Sequence, residues 1–279
     1  MANEKKLKHI LAQRPFRSIL IKPKVYKALS VGASDPSGGT GIQADLKTFA
    51  AFDVYGSTVI TALTAQNTAQ WGGVEAVSGH FIRRQMELVF DDLGVQAVKT
   101  GLVTEADGIR TVLDVLKTYS VRQLIVDPVM LAPEQAAAAD DIVPSLKELI
   151  SYGLLVTPNL AEATRLTGEK IDDIDAMKEA ALHIYGFGVK NVLIKGGHLV
   201  DEATDLFFDG KEFILLTEKK LPLGEVHGTG SAYSAAITAG LSKGMQLLDA
   251  IINAKIFVTR ALKFSIEVGQ GAKVLNFFV

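Results

Sequence analysis

The chain has 279 residues, 48% of them hydrophobic, a net charge of -2 and no cysteine. That is enough apolar material for one large core. The near-neutral charge gives no basic field to draw the chain to nucleic acid, and the lack of cysteine removes disulfides, thiolate metal sites and cysteine nucleophiles. No apolar run of about 18 residues is present, so no membrane helix is expected, and the expected location is the cytoplasm.

Residues 1–26 hold seven Lys or Arg against one acidic residue, Glu4. Ser18-Ile19-Leu20-Ile21 is too short for the core of a secretion signal, and serine is scarce for a transit peptide. The stretch reads as a basic N-terminal extension, packed on a neighbouring subunit or mobile. From residue 27 to 279, short β-rich runs alternate with helical spacing and no linker or repeat interrupts them, which predicts a single domain. Ala28-Leu29-Ser30-Val31 predicts a first strand, followed by the glycine-rich turn Ser34 to Gly41 and by Ile42, Leu46, Phe49 and Ala50 at helical spacing. Ser57 to Leu63 is β-branched and apolar, which predicts a buried strand.

Helices are then predicted over His80–Leu93, Glu105–Tyr119, Leu160–Leu166 and Ile174–Tyr185. Strands are predicted over Ala97–Thr100, Leu124–Val126, Leu154–Val156 and Val192–Ile194. The alternation predicts an α/β fold, a mostly parallel central sheet with helices on both faces. Leu206–Phe208 and Phe213–Leu216 flank Asp209-Gly210, which predicts a hairpin whose two central residues take positive φ. Helices over Ser231–Leu241 and Leu248–Ile266 close the chain.

The unusual residues fall where strands end, and ligands of open α/β sheets bind beyond those carboxyl ends. Gly38-Gly39-Thr40-Gly41 follows a strand and opens a helix, which suits either a close ligand contact or a tight turn. His227-Gly228-Thr229-Gly230-Ser231 precedes a helix and suits either an anion-binding nest or an ordinary helix start. Asp127, Glu162 and Lys195 stand after three further strands, where two acids and a lysine suit Mg²⁺ and a nucleotide phosphate. The metal would bind through oxygen ligands, with water between. Each alone also suits a solvated loop or a helix cap. No zinc spacing is present. His198 and His227 beside glycine turns are better candidates to line a site than His183 on a helix, and Trp71 suits a binding role or a loop anchor.

Taken together these motifs are recognisable. Ser34-Asp35-Pro36-Ser37-Gly38-Gly39-Thr40-Gly41-Ile42-Gln43-Ala44-Asp45, Thr64-Ala65-Gln66-Asn67-Thr68, Val98-Lys99-Thr100-Gly101-Leu102, Asp127-Pro128-Val129-Met130, Thr157-Pro158-Asn159, Lys195-Gly196-Gly197-His198 and His227-Gly228-Thr229-Gly230 closely resemble the hydroxymethylpyrimidine and phosphomethylpyrimidine kinases of thiamine biosynthesis. Order and spacing agree from about residue 27 to 268.

The resemblance implies a ribokinase-like three-layer sandwich, a homodimer, and ATP with Mg²⁺ as co-reactants. It implies phosphorylation of 4-amino-5-hydroxymethyl-2-methylpyrimidine and then of its monophosphate, with no nucleic-acid or membrane partner. It places Gln66 at the aminopyrimidine edge, where a side-chain amide offers one acceptor and two donors. Asp45, Thr40, Thr64, Leu102 and Val129 would line the same pocket. Asp127 and Glu162 would serve Mg²⁺, and Lys195, Thr229 and His198 the nucleotide. Gly228, Thr229 and Gly230 would form the anion hole. Whether a monovalent cation sits beside that hole is left open.

Ser231 is the main departure. It stands where the family usually has cysteine as the presumed base, and an alcohol is a far poorer base than a thiolate. The run after Met130, Leu131-Ala132-Pro133-Glu134-Gln135 and four alanines, departs from the family's Ser-Gly flap. Gly269-Gln270-Gly271-Ala272-Lys273 lacks its usual Gly-Pro. Two competing readings follow: a pyridoxal or pyridoxine kinase, and a pyrimidine-binding sensor with weak or no turnover.

Overall fold

The computed structural model describes residues 24–132, 142–197 and 202–279. The basic extension up to residue 23, the alanine run after Ala132 and His198 lie outside the described residues. In chain order the elements are β1 (Lys27–Ser34), α1 (Gly41–Ala51), β2 (Tyr55–Gln66), β3 (Trp71–Ala76), α2 (Gly79–Leu93), β4 (Ala97–Thr100), α3 (Ala106–Thr118), β5 (Leu124–Val126), α4 (Val143–Tyr152) and β6 (Leu155–Val156). They continue with α5 (Leu160–Thr167), α6 (Ile174–Tyr185), β7 (Val192–Ile194), β8 (Glu202–Phe208), β9 (Phe213–Lys219), β10 (Val226–His227), α7 (Thr229–Ser242), α8 (Leu247–Lys263) and β11 (Lys273–Val274).

Nine strands form one sheet in the order β3-β2-β1-β4-β5-β6-β7-β8-β9. The stretch from β2 to β7 is parallel, and β3, β8 and β9 join it antiparallel. Neighbouring residues of a strand leave the sheet on opposite faces, and both faces here are covered, so the strands read as continuous apolar runs. Leu124 and Val126 enter one core and Ile125 between them the other; Leu206 and Phe208 are split from Phe207 in the same way. The first core takes α2 to α6 through Ile82, Ile109, Leu149, Leu166 and Met177. The second takes α1, α7 and α8 through Ala44, Ala236 and Ile251. This is the expected three-layer α/β sandwich.

Four local features depart from the sequence reading. First, β2 is longer than its neighbours. Its strand pairing with β1 ends at Leu63, beyond which only β3 pairs with it, and Leu63 is 51% exposed rather than buried. Second, β3 was not anticipated because Gly72 and Gly73 interrupt its β pattern. Third, α4 was missed because Pro144 breaks its apolar run, although proline in a first helical turn loses no backbone bond.

Fourth, the β8–β9 turn holds four residues, since Phe208 pairs with Phe213, and of Asp209 and Gly210 only Gly210 takes a positive φ, 90°. The Asp209 carboxylate instead accepts the N–H groups of Lys211 and Glu212, both at 2.8 Å.

Ile125 is fully buried on the strand that leads into Asp127. Ile125→Ala is expected to cost about 2–5 kcal/mol, read as a lower urea midpoint with an unchanged denaturation slope.

Candidate active site

β1 is followed by β2 on one side and later by β4 on the other, so the connections part above the β1–β4 junction. Such a switch point opens a crevice at the carboxyl ends of the strands. A cavity of about 390 Å³ lies there. It is lined by Asp35, Thr40 and Asp45 after β1, Thr64, Gln66 and Trp71 from the β2–β3 hairpin, and Lys99 and Leu102 from β4. Asp127 and Val129 after β5, Glu162, Lys195 after β7, and His227, Gly228, Gly230 and Ser231 complete the wall.

One end of the cavity is built for an anion. Gly228 caps α7 with a left-handed φ of 92°, and a side chain on it would collide with the carbonyl of Gly39. Only glycine lets the two glycine-rich turns meet. The first N–H groups of α7 have no intrahelical carbonyl, and the helix dipole adds positive potential there. The Lys195 amine faces this end and donates to Asp127 Oδ1 at 3.0 Å. Burial works against its charge, but Asp127 and Glu162 outweigh that and hold its pKa above the ordinary lysine value.

Asp127 is buried, with every oxygen engaged. Oδ2 accepts from the Ser234 hydroxyl at 2.9 Å, and Oδ1 accepts from the Thr157 hydroxyl at 3.3 Å as well as from Lys195. Glu162 closes a capping box on α5. Its Oε2 accepts the Asn159 N–H at 2.8 Å, while Asn159 Oδ1 accepts the Glu162 N–H at 2.9 Å. Burial pushes the Glu162 carboxyl up to about 7; Lys195 pulls it down and Asp127 pushes it further up.

Among the described residues no group of three or more His, Asp or Glu forms a metal cage. The acids present are this mutually repelling pair beside an anion site. A carboxylate pair suits Mg²⁺, which keeps several waters and takes its other ligands from substrate phosphates.

The cavity wall also carries a side-chain amide. Gln66 Nε2 makes one long bond, 3.4 Å, to the Thr40 hydroxyl, so its carbonyl and second N–H remain for a ligand. Thr40 and Thr64 spend their hydroxyls on the protein: Thr40 Oγ1 donates to Asp35 Oδ2 at 2.7 Å, and Thr64 Oγ1 donates to the Ser34 carbonyl at 3.0 Å. Asp35 also accepts the backbone N–H groups of Ser37 and Thr40 and so folds the glycine loop. Burial would raise its carboxyl, but these bonds hold it below the ordinary value.

Asp45 borders the same cavity but is 2% exposed, its oxygens taken by the Ser30 hydroxyl at 2.6 Å and Lys99 at 2.5 Å. Burial pushes its carboxyl up against the pull of Lys99. Asp45 therefore supports the wall rather than offering itself to a ligand. Trp71, open between two readings in the sequence, lines the cavity.

Of the residues expected at the site, Thr229 heads α7 but does not line the cavity. His198 lies outside the described residues, and the remainder come together. Lys99, Asp35 and Ser234 were missed as parts of the site. Lys99 carried a signal, a lone lysine inside an apolar strand; Ser234 carried none, because its role depends on α7 crossing the end of β5.

The profile of the phosphomethylpyrimidine kinases matches residues 35–276. The chain belongs to the phosphomethylpyrimidine kinase family. A hydroxymethylpyrimidine/phosphomethylpyrimidine kinase of Rhizobium meliloti (strain 1021) is 45% identical over 257 residues, 90% of this chain and 96% of that one. The solved ADP complex of a Bacillus subtilis pyridoxal kinase superposes with a TM-score of 0.86 at 35% identity, covering 91% of this chain and 98% of that one. A solved phosphomethylpyrimidine kinase of Clostridium difficile 630 gives a TM-score of 0.75 at 38% identity, covering 86% and 100%. The fold is thus ribokinase-like, and the chain is a phosphotransferase like the kinases of its family.

Two predictions follow from the charges of this kinase site. Lys99→Met leaves Asp45 buried without its cation, which is expected to cost about 3–5 kcal/mol; adding Asp45→Asn should recover part of the loss in a denaturant titration. The folded pKa of Glu162, about 7, stands above its ordinary value of 4.5. Its contribution to stability is therefore full below the ordinary value and lost as pH rises through the folded one. Glu162→Gln keeps the capping box. Its Tm relative to the parent is expected to rise between about pH 5 and pH 8 in buffer without divalent cations.

Proposed function

We propose that the protein transfers the γ-phosphoryl group of ATP to the hydroxymethyl oxygen of 4-amino-5-hydroxymethyl-2-methylpyrimidine, and then a second one to the resulting monophosphate, in thiamine biosynthesis. The domain 27–279 would do this as a homodimer in the cytoplasm. The observation that carries the reading is one cavity lined both by an anion-binding helix start with Lys195 and by an under-used side-chain amide, Gln66.

Each residue has a task in this reading. Gln66 pairs with the aminopyrimidine edge, while Leu102 and Val129 give the ring an apolar wall. Lys195 neutralises phosphate charge, and the N–H groups at the start of α7 hold the charge that develops on the transferred group. Mg²⁺, held through water by Asp127 and Glu162, supplies further charge neutralisation on the nucleotide. Ser231 lines the cavity, and no other described side chain hydrogen-bonds its hydroxyl, so nothing is placed to raise its basicity. Its task is to orient the substrate hydroxyl. Phosphoryl transfer depends mainly on positioning and electrostatics and proceeds without a strong base.

A second reading, pyridoxal kinase, is favoured by the better superposition on a pyridoxal kinase than on a phosphomethylpyrimidine kinase. Gln66 and its Thr-Ala-Gln-Asn-Thr run favour the pyrimidine. Release of ADP from MgATP, measured with hydroxymethylpyrimidine, its monophosphate and pyridoxal, separates them. Turnover of both pyrimidines with little on pyridoxal is expected; the reverse order moves the assignment to vitamin B6. Saturable pyrimidine binding with no turnover leaves a sensor. Ser231→Cys is expected to raise kcat by roughly 100-fold, the lower end of what a placed acid–base group contributes, and an unchanged rate overturns the argument that a base at position 231 limits transfer.

A further inference from the structure

No residue given a task above lies beyond α8, yet the segment from Ile266 to Phe277 reaches three of the loops that line the cavity, those of the β2–β3 hairpin, the α7 turn and the glycine motif. At the tip of the β2–β3 hairpin, the Ala272 N–H donates to the Thr68 carbonyl at 2.8 Å and the Gly271 N–H to Thr68 Oγ1 at 3.2 Å. The approach is so close that a Cβ on Gly271 would collide with the Thr68 carbonyl, and one on Gly269 with the Thr68 hydroxyl. Just before the anion-binding turn, Lys273 and Val274 pair in parallel with Val226 and His227. At the glycine loop, Val274 Cγ1 stands 2.8 Å from where a Cβ on Gly39 would be. Lys47, which donates to the Gly38 carbonyl at 2.6 Å, lies over the Phe277 ring.

The segment is itself anchored. Leu275 and Phe277 are buried in the second core, and Ile266 and Val274 exchange backbone bonds of 2.9 and 3.0 Å. The hairpin needs such an anchor. Beyond Leu63 it is a two-stranded ribbon, which is marginal without further support. It carries Gln66 and Trp71, so its lean decides where a bound ring sits relative to the start of α7.

We propose that residues 266–277 form a positioning strap that sets the distance between the ring-reading hairpin and the phosphate-holding turn. The strap deepens the kinase reading above, on which its kinetic test rests; its spectroscopic test does not. Displacement of a reacting atom by about 1 Å costs on the order of 100-fold in rate, so a strap that slips reduces transfer without removing any catalytic group.

Gly269→Ala tests this, because its methyl group meets the Thr68 hydroxyl, and Thr68→Ala removes that hydroxyl, with its 3.2 Å bond from the Gly271 N–H, while keeping the shorter backbone bond from Ala272. In the full-length protein, Gly269→Ala is expected to raise KM for the organic substrate roughly tenfold and to lower kcat. KM for MgATP should stay within about twofold. Adding Thr68→Ala should restore both parameters. Trp71, the lone tryptophan, sits three positions from Thr68 at the cavity wall. Its emission in the substrate-free protein should shift in Gly269→Ala and return in the double variant.

Unchanged kinetics and emission in Gly269→Ala overturn the strap, as does equal loss toward both substrates or a failure of Thr68→Ala to restore. If the parent turns over neither pyrimidine nor pyridoxal, the kinase reading fails. The emission shift and its reversal then decide the strap alone.

Discussion

The site depends on a buried chain of alternating charges that runs under it. Asp45, Lys99, Asp127 and Lys195 come from α1, β4 and the ends of β5 and β7, and none but Lys195 has more than a trace of solvent contact. Lys99 stands 2.5 Å from Asp45, 3.8 Å from Asp127 and 3.3 Å from the Ser231 carbonyl. Burying an ion is expensive, and the cost is met only when opposite charges and hydrogen bonds surround it. Here each acid has a lysine and a hydroxyl, from Ser30 or Ser234. The network therefore ties the wall of the ring pocket to the first turn of α7, two parts of the site that no covalent path joins closely.

Glycine provides the complementary constraint. The charged network pulls the elements together, while Gly228 and Gly39 let two turns approach until backbone meets backbone. With the helix start pressed against the glycine loop, an anion held there is shielded on one side from water, and its interactions with Lys195 and the free N–H groups gain strength in the lower dielectric.

Pyridoxal kinases and phosphomethylpyrimidine kinases share this fold, and the chain superposes on a member of each. Gln66 and Trp71 line the cavity from the β2–β3 ribbon, outside the part of the sheet paired on both sides.

The sequence by itself determined the parallel sheet, most helices and the family. Apolar runs between glycine turns are local signals, and a motif such as Asp-Pro-Val-Met keeps its spacing along the chain. It also brought nearly every expected site residue to one cavity. What it left undecided were features set by distant partners. Glu162 reads as a metal ligand in sequence, yet it also caps its helix, and Asp45 reads as a substrate contact, yet Lys99 and Ser30 consume its oxygens. β3, with two glycines, becomes a strand only by pairing with the outer edge of β2. The seat of Gly269 and Gly271 on Thr68, some 200 positions away, has no local signature at all. Tertiary structure decided these because a hydrogen bond or a close backbone contact depends on where the partner lies in space, and the periodicity of a short segment holds no record of that.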